Sequence, residues 1–559
     1  MSNPRRECTA YALPGADRCL AHASDIDREA FLDGTDRPDD WPRYLQRLEV
    51  SDKLVAGMRQ LAELEEGLDF SGATFLDAVD FERVVFRGPT CFESARFEAS
   101  AYFANATFES DVIFRGTQFC ADAHFEYVLF REDAYWPEAH FDAVAWFSGA
   151  AFASVCDVRN AVFADKCEFV DVTFQGAAVF DQVGFGDTAE FWAATFATSA
   201  TFLFASFAGK ADFWKARFTG PASFTGVELE GGAWFEEAVI EREVTFHGDE
   251  DAVPGLVHFV RTEFGRHAHV TLGCHATFED VVVRNPLTVV SEGTSGAIVS
   301  FEGTAFDAPV VVGEGIRLTA CRFARATGLA NLRATGDPQW MRFRNRFVIA
   351  DEMHYWLALG VVDARSLARR HDLDAEVGAR HPHEIEAAYR QLRLAPDTTH
   401  AAVASDFNYG EMEMRRCGAR GWSAERQLLL FYKVFSGYGR RAWRAVASYA
   451  VVLAVIGACM RWQGHLFLRA CDPGFVCDQS VAGGLHSNRL GDMVVLAFKG
   501  SAQLMSNVET APFRPLGVAL FVGLRLVGFL FFCLTVLAVR SRVRRSPWAR
   551  HQAEPVSSI

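Results

Sequence analysis

In the first half of the chain, large apolar residues recur in alternating steps of five and six. The stretch FEASAYFANATFESDVIF, residues 97 to 114, places Phe97, Phe103, Phe108 and Phe114 six, five and six residues apart. A step of five turns a helical side chain by about 140°, so one helix would split these residues into two stripes. In a continuous strand, a step of five reverses the face while a step of six keeps it. An 11-residue period in a supercoiled helix would need helix formers, and this stretch is rich in Gly, Thr, Ser and β-branched residues. The chain must therefore turn between successive phenylalanines.

One 11-residue series runs Phe70, Phe81, Phe92, Phe103, Phe114, Phe125 and Trp136, then through Phe147, Val158 and Phe169 to Phe246. The other runs Phe75, Phe86, Phe97 and Phe108 on to Phe218, Leu229 and Ile240. Of about 33 positions in the two series about 29 hold Phe, which marks internal repetition. Two residues before each large one is a small or β-branched residue, such as Ala73, Val79, Val84, Thr90, Ala95 and Ala101. That pattern suits a tight interior where each unit points one small and one large side chain inward.

This register resembles the pentapeptide-repeat family, in a phenylalanine-rich form with one extra residue per pair of units, over about residues 68 to 250. The resemblance implies a mainly β fold, a right-handed quadrilateral β-helix whose phenylalanines stack in ladders. About 16 units then give about eight coils and a rod of roughly 38 Å, held by nearest-neighbour stacking. Weaker echoes at Phe259, Phe264, Phe301, Phe306 and Phe323 extend it. The expected organisation is an N-terminal Cys/His segment and helical cap (1–66), a regular solenoid (67–250), and an irregular continuation ending in a cap around Trp340 and Phe343 (251–350). A helical connector (351–443) and an α-helical membrane domain (444–559) follow.

Composition then adds charge. The whole chain has 559 residues, 50% of them apolar, and a net charge of −16. Residues 67 to 250 hold 30 Asp and Glu against 11 Lys and Arg. The charge keeps a two-ended rod soluble and protects its edges. The sharper alternative is imitation of duplex DNA, as in pentapeptide-repeat proteins thought to bind topoisomerases.

Two apolar stretches change the class of protein. AVASYAVVLAVIGACM (445–460) lies between Arg444 and Arg461, and LGVALFVGLRLVGFLFFCLTVLAV (516–539) is interrupted by Arg525. They predict spans over about 445–462 and 516–539. Lys433, Arg440, Arg441 and Arg444 before the first, and Arg540, Arg542, Arg544 and Arg545 after the second, predict cytoplasmic N- and C-termini at a bacterial inner membrane. The absence of a signal peptide before the solenoid places the repeats on the same side. In the outer loop, CDPGFVC suggests a Cys471–Cys477 disulfide, and residues 490–505 suggest a re-entrant helix. This arrangement resembles two-transmembrane ion channels, with a pore-like segment of Lys499, Ser501, Gln503, Ser506, Asn507 and Glu509. SAQLMSNVETAP replaces a potassium filter, so potassium selectivity is not expected. Arg525 fits a pore or subunit interface, or a pair with Glu509 or Asp492.

Between rod and membrane, residues 383–395, 404–416 and 423–439 predict helices. The last is capped by Ser423, with Leu428, Leu429, Phe431, Tyr432 and Phe435 as the apolar face suited to a membrane surface. FNYGEMEMRR and SGYG resemble the connector of bacterial membrane proteins that join pentapeptide repeats to channel-like tails. At the N-terminus, Cys8, Cys19 and His22 have metal-ligand spacing for zinc, one ligand short of a closed site; no other cofactor is expected. No Walker loop, dinucleotide fingerprint, His-Glu-x-x-His or nucleophile elbow is present, so no enzyme is expected.

The leading expectation is a cytoplasmic binding scaffold coupled to an oligomeric, channel-like membrane domain, tetrameric if it forms a pore. Its expected partners are the bilayer and a cytoplasmic protein, not nucleic acid. The alternatives are a non-conducting anchored scaffold and a DNA-mimicking topoisomerase regulator.

Overall fold

In the computed structural model, the described residues are 9–63, 66–247, 255–291, 298–313, 316, 318, 321–335, 340–343, 346–361, 381–395, 401–438, 442–462, 494, 497–498, 519, 522–531 and 533. They divide into two compact units, one holding residues 1–380 and 391–399, the other residues 381–390 and 400–559.

The first unit is a four-sided parallel β-solenoid. Strands of mostly two residues form four sheets of 9, 13, 11 and 9 strands, and in the regular coils each strand pairs with the fourth one along the chain. The offset is 22 residues from Leu68↔Thr90 to Ala222↔Val244. It becomes 24 at Ala233↔Val257, 26 at Glu243↔His269, 19 at Leu256↔His275 and 23 at Ala276↔Val299, then returns to 22 at Val310↔Leu332. The 13-stranded face makes about 12 turns. At ~4.8 Å per coil this stack is about 58 Å long, so the sheets persist well beyond the regular repeat.

The two step lengths correspond to two kinds of corner. Across a five-residue step, the turn Phe103–Ala104–Asn105–Ala106 closes by a hydrogen bond from Ala106 N–H to Phe103 C=O at 2.9 Å. The third residue of that turn is left-handed, with φ of 59° at Asn105, 56° at Asn160 and 54° at Ala193. A six-residue step bends without it and carries the extra residue.

Inside, residues one coil apart stack face to face: Phe75 on Phe97 at 4.5 Å, Phe86 on Phe108 at 4.5 Å and Phe103 on Phe125 at 5.0 Å. Neighbouring ladders meet edge to face, as Phe92 and Phe103 do at 84°. Cys156 and Cys167 occupy the small inward position, where burial pushes their thiols well above the usual range.

Both ends of the solenoid are covered. The strand Glu49–Val50 pairs with Thr74–Phe75, and Trp41, Tyr44, Leu48, Leu54 and Met58 are buried nearby, the last two on the helix Asp52–Ala62. At the other end Trp340 packs on Phe323, and a hairpin of Met341–Phe343 with Arg346–Val348 leads to the helix Ala350–Ala358. Its buried Asp351 accepts hydrogen bonds from the Phe323 and Ala324 amides at 2.8 and 3.1 Å.

The second unit is helical, with described helices Pro382–Leu392 (whose last two residues fall in the first unit), Ala401–Gly418, Ala424–Ser436 and Ala442–Trp462. Ser423 caps the third, its hydroxyl accepting from Arg426 N–H at 3.3 Å. The expected apolar face of this helix needs correction. Leu429 is buried, and Phe431, Tyr432 and Phe435 pack around Phe531 with Tyr449 and Val452. Leu428, Leu430 and Val434 are the exposed ones. Leu430 and Val434, four residues apart, share a face turned away from Phe431, Tyr432 and Phe435, whereas Leu428, three and four residues before Phe431 and Tyr432, lies on their side of the helix and is exposed there.

Candidate interaction surface

Parallel stacking converts sequence positions 22 apart into a straight outward row. On the 11-stranded face, each two-residue strand from Val79–Asp80 to Ala233–Trp234 points its first residue inward and its second outward. The outward series is Asp80, Tyr102, His124, Trp146, Glu168, Glu190, Asp212, Trp234 and His258. Tyr102 stacks on His124 at 4.7 Å and Trp234 on His258 at 3.8 Å, so rings flank a central run of three carboxylates.

The carboxylates are held in place. Lys166 Nζ lies 2.9 Å from both Glu168 and Glu190, and Lys210 Nζ lies 2.6 Å from Asp212 while sitting 5.1 Å from the Trp234 ring. Burial, then the Lys210 charge, pushes the His258 imidazole below its usual range, which favours its neutral form. Beside this row, Trp192 and Trp214 meet edge to face at 5.7 Å, with Lys215 4.3 Å from the Trp214 ring. On the 13-stranded face Asp133 accepts from the Ser154 and Tyr135 hydroxyls and the Val155 amide. The Ser154 bond is the main cause holding the Asp133 carboxyl below the usual range, and the bond to Asp133 pushes the Tyr135 phenol up to about 12. These groups form a rigid polar surface in which charge is fixed by neighbours one coil away.

The helical unit has its own buried charge. Glu413 accepts from Arg416 at 2.8 Å, Lys433 at 2.7 Å and the Tyr438 hydroxyl at 2.9 Å. Burial works to raise this carboxyl, but the Arg416 and Lys433 hydrogen bonds and charges outweigh it and bring it down to about 2. The node ties the helix Ala401–Gly418 to the helix Ala424–Ser436 and to the left-handed turn at Gly437 and Tyr438.

Of the sites expected from sequence, Cys19 and His22 come together, with Sγ and Nδ1 3.2 Å apart on a turn closed by a hydrogen bond from His22 N–H to Cys19 C=O at 2.9 Å. Cys8 lies outside the described residues, and among those residues no group of three His, Cys, Asp or Glu side chains could hold a metal ion. Cys471, Cys477, Lys499, Ser501, Gln503, Ser506, Asn507 and Glu509 also lie outside them. Arg525 is half-buried on a helical stretch beside buried Leu524. The helix Ala442–Trp462 coincides with the first expected span, but among the described residues no helix is long and apolar enough to cross a membrane. The outward row was not anticipated. Reading every 22nd residue from Asp80 would have found it as far as Trp234, with His258 two residues beyond the next step.

The geometry defines a four-sided β-solenoid built from five- and six-residue steps. The family model for pentapeptide repeats (9 copies) matches residues 70–118, 92–139 and 205–248, all within the regular coils. Neither the curated proteins nor the solved structures give a match.

Proposed function

We propose that this chain is a non-enzymatic, membrane-tethered binding scaffold of a bacterial cell, whose acidic solenoid takes a basic protein partner on the cytoplasmic side of the inner membrane. The observation that carries the reading is the row Trp146, Glu168, Glu190, Asp212 and Trp234. It is a rigid strip in which Glu168, Glu190 and Asp212, largely covered and paired with Lys166 or Lys210, lie between aromatic rings on a rod with a large acidic excess. Such a surface complements cationic side chains through the net charge of the rod and through contact with ring faces. Tethering is supported by the apolar stretches 445–460 and 516–539 and their flanking arginines.

The test compares the wild-type full chain with a Glu190→Lys/Asp212→Lys variant as bait, with circular dichroism as the fold control. A basic protein retained by the wild type and lost from the equally folded variant supports the reading. Identical partner sets would overturn it. The finer form, a tetrameric pore lined by Lys499, Ser501, Gln503, Ser506, Asn507 and Glu509 with Arg525 at a subunit interface, is tested by the mass of the detergent-purified protein. A stable monomer would exclude it.

A further inference from the structure

The helix Ala424–Ser436 buries one apolar side and leaves further apolar side chains exposed. Lys433 pairs with buried Glu413 at 2.7 Å, whereas Glu425 and its partner Arg415, 2.5 Å away, are both about half exposed. The outer side of the helix carries Val434 at 57% exposure and Leu430, also exposed, and Leu428 at 69% is exposed on the side of Phe431 and Tyr432. Trp422, two residues before the helix starts, is 93% exposed. A tryptophan this open, beside an apolar helix face, gains nothing from water and needs a covering phase.

The charge around this face selects what covers it. Between residues 419 and 446 the chain carries Arg420, Arg426, Lys433, Arg440, Arg441 and Arg444 against one acid, Glu425. A second copy would bring the same cations to the contact and be repelled. An anionic bilayer surface supplies what both parts require: an acyl boundary for Leu430 and Val434, a headgroup level for Trp422, and negative charge for the arginines.

We infer that Trp422 and the outer face of the helix Ala424–Ser436 form a docking surface for anionic lipid headgroups, with the helix lying in the plane of the membrane interface. The inference rests on the tethering reading above and goes beyond it, because an interfacial helix does not need to cross the bilayer.

The test uses the full chain with vesicles of phosphatidylcholine alone or mixed with phosphatidylglycerol. Flotation is measured first. The tryptophan fluorescence of the wild type and of Trp422→Phe is then compared in bilayers with and without bromine on the shallow acyl carbons. The expected result is that the wild-type-minus-variant signal is quenched by brominated lipid, more strongly with phosphatidylglycerol, and that Leu430→Glu/Val434→Glu abolishes the quenching. A chain that floats but shows no Trp422-specific quenching overturns the docking surface and leaves tethering intact. A chain that floats with neither vesicle overturns both.

Discussion

Phe92 and Phe114 sit one coil apart with ring centroids 4.9 Å from each other and planes only 3° from parallel. Phe114 then stacks on Trp136 at 5.2 Å and meets Phe103 and Phe125 edge to face at 5.9 and 5.6 Å. Each core ring therefore belongs to a vertical ladder and to a lateral layer. Phe114→Ala should cost about 3 to 5 kcal/mol, because the lost burial and the cavity add while the flanking coils are fixed by their backbone ladders. Since coils touch only their neighbours, amide protection should fall around Phe92 and Trp136 and persist around Phe202 and Phe224. Hydrogen exchange reads this directly; uniform loss along the solenoid would contradict nearest-neighbour stacking.

Trp136 and Val158 are the two exceptions next to each other in that same ladder. The paired strands Ala134–Tyr135 and Cys156–Asp157 immediately precede them. The larger ring matches the smaller neighbour, at the cost of an indole N–H with no hydrogen-bond partner. Val158→Phe alone should overpack the layer by about 1 to 3 kcal/mol. Trp136→Phe alone should cost roughly 1 kcal/mol, through a small cavity partly offset by removing the orphaned donor. The double variant should be more stable than the sum by at least about 1 kcal/mol, because it restores two ordinary stacked positions. Urea melts of the four proteins measure the coupling; strict additivity would mean the two residues do not share the space.

Asp351 closes the far end of the solenoid, its two carboxylate oxygens each accepting one amide from the Phe323–Ala324 turn. Asp351→Ala orphans both donors and should cost about 2 to 4 kcal/mol, whereas Asp351→Asn keeps one acceptor and should cost about half as much. Exchange of the Phe323 and Ala324 amides should speed up in that order. Equal rates in all three proteins would assign the cap to Trp340 packing instead.

These cases show what sequence could and could not reveal. The regular coils were legible because Phe is rare enough, and the interior strict enough, that the 11-residue series stands out from Phe70 to Phe246. Beyond that, Val270, Leu272, Val289 and Val312 fill the buried positions. Common aliphatics leave no signature, and the changing coil length removes the period that would reveal them. The outward row was hidden for another reason: its members differ chemically, and only their spacing relates them. On the helix Ala424–Ser436 the apolar residues were visible, but which side faced inward depended on Glu413, a buried acid on a separate helix that draws Lys433 towards it. An apolar stripe is local information, whereas the partner of a charge is not.

That acid also sets a pH dependence. The Glu413 carboxyl lies at about 2, against an ordinary value of 4.5. A depressed carboxyl contributes its stabilisation in full above the unfolded value and loses it as the pH falls towards the folded one, so the loss should occur between about pH 4.5 and 2. The shift corresponds to about 3 kcal/mol at neutral pH. Glu413→Gln leaves Arg416 and Lys433 facing a neutral amide. It should weaken the helical unit by about 3 kcal/mol at pH 7 and flatten its response in the acid window. Amide exchange over residues 405–438 in the full chain separates this from acid effects on the solenoid. If the variant and the wild type lose protection in parallel as the pH falls, the acid sensitivity arises from other carboxylates, and Glu413 is held by packing rather than by its cations.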